Sequence, residues 1–250
     1  LKLLQHLGTA YSGDGDSVKT ECIHCGSSAL SIDSEAPHQY ACFKCKQSGN
    51  AFTYIRKWYD NLPQITPSQA TNLCSLKKGI KKLIVRDVGI KFYNNCYWFP
   101  VYNQKNHLMA VHKYVFESNI MYSSPKPTSL TILGLHSLTG SDTIWIAEGH
   151  WDYLALLPHM AEASVDLLGT CGSYFNSAYL PVLRDKHIVL LYDNDLAGRD
   201  GVNYVARHLK ANSINHLSLS FLDWEKVTLP TGELTSGFDI RDWHNVYQKV

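Results

Sequence analysis

Short apolar runs that stop at an acid or a glycine mark the second half of the chain. Thr143-Ile144-Trp145-Ile146-Ala147 stops at Glu148-Gly149, and His187-Ile188-Val189-Leu190-Leu191-Tyr192 stops at Asp193-Asn194-Asp195. Between them Leu167-Leu168 runs into Gly169-Thr170. A helix is expected to begin near Trp151, and a second carries Val202, Val205, Ala206 and Leu209 on one face. Continuous apolar strands alternating with helices predict a parallel α/β sheet. The first half is patterned differently. Ala29-Leu30-Ser31-Ile32 and Gln39-Tyr40-Ala41 alternate, which suits a small antiparallel ribbon. Phe52, Ile55, Trp58 and Tyr59 recur at helical spacing. They predict a helix from near Asn50 to before Pro63, its aromatics packed on the ribbon. Residues 61–75, with two prolines and many polar positions, read as a loosely ordered linker. Tyr97–Tyr102 and His107–Phe116 read as two strands of a hairpin that turns at 103–106.

The expected fold class is α/β (α+β overall) in three parts. A ribbon domain covers 1–60, a mixed basic subdomain 76–140, and a parallel-sheet domain 141–250, with the linker at 61–75. Apolar residues make up 45% of the 250, enough for a substantial core, which excludes global disorder. No stretch approaches the roughly 18 uncharged apolar residues of a membrane span. The N-terminus lacks a basic-then-apolar signal pattern, so a cytoplasmic location is expected. Starting at Leu1, the chain reads as a piece of a longer protein.

Net charge is +1 overall, but residues 1–140 hold 15 Lys+Arg against 8 Asp+Glu, and residues 141–250 hold 8 against 14. A basic half suits a polyanion, and an acidic half suits divalent cations. Lys77, Lys78, Lys81, Lys82 and Arg86 fall within ten positions. On a helix the four lysines would share one face and meet a nucleic-acid backbone.

Seven cysteines, an odd number, argue against a pure disulfide framework. Four form two C-x2-C pairs, Cys22/Cys25 and Cys42/Cys45, sixteen residues apart. Two such turns facing each other complete a tetrahedral four-thiolate zinc site. Gly26 stands where a tight knuckle needs positive φ. His24 and His38 are read as surface residues, and Cys74, Cys96 and Cys171 as buried or free thiols.

Glu148, Asp193 and Asp195 all fall at the carboxyl ends of predicted strands, where parallel sheets bind ligands. Asp193 and Asp195, two apart, would point the same way in extended backbone. Such crowded carboxylates call for a cation, and hard oxygen ligands favour Mg2+ or Mn2+. Asp239 is a fourth candidate ligand, and Asp152 and Asp200 read as helix caps.

Glu148-Gly149-x-x-Asp152 with Asp193-x-Asp195-x-Ala197-Gly198 resembles the TOPRIM signature of DnaG-type primases, topoisomerases and some nucleases. The four-cysteine ribbon ending in Cys45-x3-Gly49-Asn50-Ala51-Phe52 resembles the zinc-binding domain of bacterial and phage primases, and Gly169-Thr170 resembles the turn between the acidic motifs. Four cysteines, rather than three and a histidine, lean toward phage or plasmid primase-helicases. The family's Lys-Tyr-Leu-Asn-Ser-Pro stretch is only echoed by Ile120–Pro125, without its lysine. The resemblance implies a DNA-dependent RNA primase acting on single-stranded DNA and NTPs. Glu148, Asp193, Asp195 and Asp239 would hold Mg2+, and Lys113 and Arg199 would contact nucleotide. The Lys77–Arg86 cluster would grip the template, and His24, His38, Tyr40 and Phe43 would read its start site. A replicative helicase, fused or separate, is the expected partner; no GxxxxGK[ST] motif lies in this chain. The rivals are a metal-dependent TOPRIM nuclease, against which the ribbon ahead of a basic segment argues, and a non-catalytic nucleic-acid-binding module.

Overall fold

The computed structural model of the chain describes residues 2–35, 38–124, 131–227 and 238–242. The chain forms two compact units. One comprises Leu1–Ile65, Gly89–Val101 and His107–Thr128; the other comprises Thr66–Val88, Tyr102–Asn106 and Ser129–Val250. The ribbon is therefore not a unit to itself, as the 1–60 boundary had it. It shares one with much of the segment assigned to a basic subdomain.

In the first unit, α1 (Lys2–Leu7) precedes an antiparallel sheet of β1 (Tyr11–Ser12), β2 (Ser17–Thr20), β3 (Leu30–Asp33), β4 (Tyr40–Cys42) and β5 (Ser48–Gly49), ordered as in the chain. Val18, Leu30, Ile32 and Tyr40 point inward, the period of two that the alternation predicted. Next, α2 (Ala51–Asn61) opens on a capping box. The Asn50 Oδ1 accepts from Phe52 N and Thr53 N at 3.1 and 3.2 Å, and Asn50 N donates to Thr53 Oγ1 at 2.8 Å. It stops at Leu62, extended before Pro63 as the proline requires.

A second sheet follows, β6 (Lys91–Tyr93), β7 (Cys96–Tyr102), β8 (Leu108–Val115) and β9 (Ile120–Ser124), again in chain order. This bears out the hairpin; Pro125 lies outside the described residues. The α2 helix serves both sheets rather than the ribbon alone. Tyr54 meets Tyr40 of the ribbon at 5.6 Å, while Trp58 meets Trp98 and Tyr93 of the second sheet at 4.7 and 6.1 Å. Phe52 is left 44% exposed. The buried Lys91 ammonium donates to the carbonyls of Tyr59, Asp60 and Leu62 at 2.6, 3.3 and 2.9 Å. It thus caps the end of α2.

In the second unit the expected linker is a helix, α3 (Pro67–Leu76). Its start is a capping box, with Gln69 N donating to Thr66 Oγ1 at 3.3 Å and Thr66 N to Gln69 Oε1 at 2.9 Å. Pro67 sits at the first turn, where its missing N–H costs nothing. The next helix, α4 (Lys82–Asp87), is short. Lys77 ends α3, Gly79 takes φ +88°, and Lys81 stands before α4, so the four lysines do not share one helical face. Lys78, Lys81, Lys82 and Arg86 are nevertheless exposed.

The remaining strands and α-helices among the described residues are β10 (Thr143–Ala147), α5 (His150–Leu156), α6 (Met160–Ala163), β11 (Asp166–Gly169), β12 (His187–Leu191), α7 (Leu196–Ala211) and β13 (Ser218–Phe221). The sheet is parallel throughout, in the order β11-β10-β12-β13. Its centre is filled by Ile144, Ile146, Leu168, Ile188 and Leu190, with Val205 and Leu209 of α7 packed on it. Buried Asp166 accepts from Thr139 N and Oγ1 at 2.8 Å and from Gly140 N and Ser141 N at 3.1 Å. Four donors satisfy this carboxylate and pin the loop that enters β10. Among the described residues no helix is long and apolar enough to cross a membrane.

Candidate active site

Strands β10 and β12 are neighbours in register, Ala147 opposite Leu191, so Glu148 and Asp193 emerge close together at the carboxyl edge. The Asp193 N–H donates to Glu148 Oε2 at 3.1 Å, and Ser173 Oγ donates to Glu148 Oε1. Thr170, fully buried, donates from N and Oγ1 to Ala147 O at 3.0 and 3.2 Å, fixing the strand end that carries Glu148. This gives the Gly169-Thr170 turn its physical role.

Asp195 is itself extended, but a turn at Asn194 separates it from Asp193, so the two do not continue one straight strand. Asp195 N donates to Asp193 O at 2.9 Å, a tight turn, and the Asp195 carboxylate caps α7 by accepting from Gly198 N at 2.7 Å. Asp152, expected as a cap, is instead buried in the acid cluster, and α5 follows Gly149 with no side-chain cap. Asp152 is thus a member of the cluster, and Asp195 belongs to the cluster while also capping α7. Asp239 arrives on the segment 238–242, held by Asn194 N donating to Phe238 O at 2.9 Å and by Phe238 against Trp224. One residue that the sequence reading passed over completes the cluster. Arg241 Nε donates to Asp152 Oδ1 at 2.8 Å, and its Nη2 pairs with Asp239 Oδ2.

Burial, and then Asp152, Glu148, Asp239 and Asp195 around it, push Asp193 up to about 8. Burial raises Asp152 to about 7 despite Arg241. Carboxylates that prefer a proton at neutral pH fit a site built for a cation. The sign of the linkage follows. Both carboxyls bind protons more tightly when folded than at their ordinary 3.8. Their contribution to stability is full below that value and is lost as pH rises through about 7 and 8. Without added Mg2+, Tm is expected to fall between pH 5 and 8.5; adding Mg2+ at the top of that range should restore it. A flat profile would mean the acids carry no linked proton.

Gly198 permits the approach of α7 to Asp193. A Cβ there would stand 2.2 Å from Asp193 O. Gly198→Ala is expected to cost about 1–3 kcal/mol in a denaturation measurement, as overpacking does, and to displace Asp193. Beyond Asp193 a cavity of about 430 Å³ is lined by Arg199, Asn203, Phe221, Trp224 and Glu225, among others. Exposed Arg199 therefore stands beside the acids. Lys77 belongs to the same unit, with its ammonium 4.8 Å from the Trp151 ring centre and its pKa lowered by burial and then by Arg241. Lys113 lies in the other unit, over the Trp98 ring at 5.5 Å and donating to His6 O at 3.3 Å.

In the ribbon the four thiols Cys22, Cys25, Cys42 and Cys45 converge within 4.8 Å of one another. The Cys22–Cys45 and Cys25–Cys42 sulfur separations are 3.8 Å. A tetrahedron with metal–sulfur bonds of about 2.3 Å has edges of about 3.8 Å, so the set fits such an ion. The two knuckles match: Gly26 N donates to Cys22 O and Lys46 N to Cys42 O, with φ +70° and +62°. N–H groups of Cys45 and Lys44 help hold Cys42 down to about 6, while burial pushes Cys22 to about 12. Four thiolates therefore need a cation to coexist. Of the expected template readers, Phe43 is 67% exposed, and His38 Nδ1 bonds to Asp33 O at 3.0 Å. Tyr40 is corrected. Its ring is buried between His24 and Tyr54 and its hydroxyl bonds to His24 Nε2 at 3.0 Å, which leaves no face for a base.

Residues 145–227, which hold most of the parallel sheet, match the family model described as Toprim-like. The chain as a whole has the fold of the DnaG-type primases. It aligns over its full length with 81% of the crystal structure of the Aquifex aeolicus primase zinc-binding and RNA polymerase domains, with a TM-score of 0.52 and 13% identity. A DNA primase of Legionella pneumophila is 27% identical over 195 residues, 71% of this chain and 31% of that protein. An uncharacterised protein of Mycoplasma genitalium is 27% identical over 129 residues, 48% of this chain and 59% of that protein. The chain thus spans less than two thirds of the length of these curated relatives.

Proposed function

We propose that the chain is the priming part of a DNA-dependent RNA primase, which copies single-stranded DNA into short RNA. The observation that carries this reading is the acid cluster at the carboxyl edge of β10 and β12, in a chain that also holds a four-thiol ribbon. Glu148, Asp193 and Asp195 would hold Mg2+ or Mn2+, and the four cysteines Zn2+. When bound, the divalent ion lowers the pKa of the attacking 3′-hydroxyl and offsets charge on the leaving pyrophosphate. The chain's own residues prepare for that. Ser173 and the Asp193 N–H orient Glu148. Thr170 holds the strand end. Arg199 offers a guanidinium to phosphate from the cavity wall beside Asp193. Exposed Lys78, Lys81, Lys82 and Arg86 offer the template backbone a contact without sequence preference. Phe43, His24 and His38 would read the start site by stacking and hydrogen bonding. A replicative helicase is the proposed partner.

The test supplies labelled NTPs and Mg2+ to the chain with a pool of random single-stranded DNA, and resolves products by length. Template-dependent short RNA that vanishes when Mg2+ is withheld is the expected result. Shortening of the template instead would replace this reading with a metal-dependent nuclease. Binding with neither product would replace it with a binding module.

A further inference from the structure

We propose that Arg241 is a built-in cation filling the place between Asp152 and Asp239 that a second divalent ion would take, so that the acid cluster holds one such ion and not two. This rests on the metal reading proposed above for Glu148, Asp193 and Asp195.

Asp152 on α5 and Asp239 on the segment 238–242 come from distant parts of the sequence, and both are buried, at 4% and 6% exposure. Two carboxylates brought together away from water need a proton or a cation between them. The Arg241 guanidinium is that cation, spanning the pair through Nε and Nη2. Its planar fork suits two carboxylates at once better than an ammonium would. The other Asp239 oxygen, Oδ1, accepts from Asp242 N at 2.8 Å, which fixes the carboxylate facing the guanidinium. Two-ion nucleotidyl-transfer sites place their ions about 3.5–4 Å apart, with carboxylates on both. An ion on the Asp152–Asp239 side would have to displace the guanidinium from two charge-assisted bonds. Lys77, over the Trp151 ring, adds positive charge within range of Arg241, which helps lower its pKa after burial. Among the described residues no cation is bonded to the Glu148–Asp193–Asp195 side: Glu148 accepts from Ser173 Oγ and Asp193 N, and Asp195 from Gly198 N. Each carboxylate keeps acceptor capacity beyond those bonds. One ion therefore has a place there, and the second place is already filled by protein.

The experiment titrates Mn2+ into the zinc-loaded chain and follows the free-ion signal by electron paramagnetic resonance. One Mn2+ per wild-type chain and two per Arg241→Gln chain is the expected result, with far-UV circular dichroism confirming that the variant is folded. Asp239→Asn provides a second, milder probe. It keeps the Asp152–Arg241 pair and is expected still to bind one Mn2+. Two ions in the wild type, one in Arg241→Gln, or loss of the ion in Asp239→Asn would each overturn the assignment of Arg241. No ion in the wild type would instead overturn the metal reading on which it rests.

Discussion

The Asp193→Ala, Asp195→Ala double variant is expected to make about a thousandfold less RNA than the wild type, or none. Divalent-ion stabilisation of charge in phosphoryl chemistry is worth several kcal/mol, and each 1.4 kcal/mol is tenfold in rate. Loss of fold has to be separated from loss of chemistry, because Asp195 also caps α7 through Gly198 N. Removing that cap costs about 1 kcal/mol. Asp193→Asn makes the separation. It leaves the cap in place and takes away a charge that four neighbouring carboxylates oppose. The single variant is therefore expected to melt at a higher temperature than the wild type above about pH 8, where Asp193 is ionised, when no Mg2+ is present, while its RNA synthesis collapses. Activity lost together with stability gained is the mark of an acid kept for chemistry. A single variant that retained full synthesis would remove Asp193 from the mechanism.

Loss of the ribbon's metal should be the largest structural effect. Zinc binding in small zinc-finger peptides is worth roughly 10–16 kcal/mol at neutral pH. The ribbon's own core is small, with Val18, Leu30, Ile32 and Tyr40 as its main buried side chains. Cys42→Ser removes one ligand and the knuckle's lowest-pKa thiol. Limited proteolysis is then expected to cut within residues 17–49 while 143–221 stays protected, and a thiol-sensitive zinc dye should detect release of one ion per chain. The α2 helix would lose its Asn61 Nδ2 bond to Ile23 O, 2.6 Å long in the intact ribbon. Equal protease resistance of Cys42→Ser and wild type would show that the ribbon folds without the ion.

Much of this was legible in the sequence because strong local signals agreed with the tertiary outcome. The two C-x2-C turns need only face each other, and an apolar strand ending in an acid places that acid at a sheet edge whatever surrounds it. The readings that failed depended on partners far along the chain or on backbone detail. The segment 61–75 looked like a linker because its polar composition hid the Thr66–Gln69 capping box, which needs only two side chains to start α3. The lysine face disappeared because Gly79, with positive φ, splits the segment between two helices. Asp152 reads as a cap because cap and cluster carboxylates look alike until the surrounding fold buries one of them. Tyr40 passed for a surface aromatic in an alternating strand whose inward face could not be told apart from sequence. Arg241 had no motif to announce it, lying 89 residues from Asp152, one of the two acids it bridges. Asp166 was overlooked for the same reason, its four donors belonging to a loop that precedes it by more than twenty residues.

The three carbonyls gathered by Lys91 bear on where this chain can be divided. Helix α2 is begun by its own neighbours but finished by a side chain 29 positions beyond Leu62, and Tyr59 donates its hydroxyl to Gly89. A gene fragment ending after α2 would carry every cysteine of the ribbon and still leave those carbonyls without their donor. Exchange of ribbons between related proteins by recombination near residue 65 would meet the same obstacle. Breakpoints beyond the second sheet keep donor and acceptors together, and the ribbon then travels with the sheet that closes its helix.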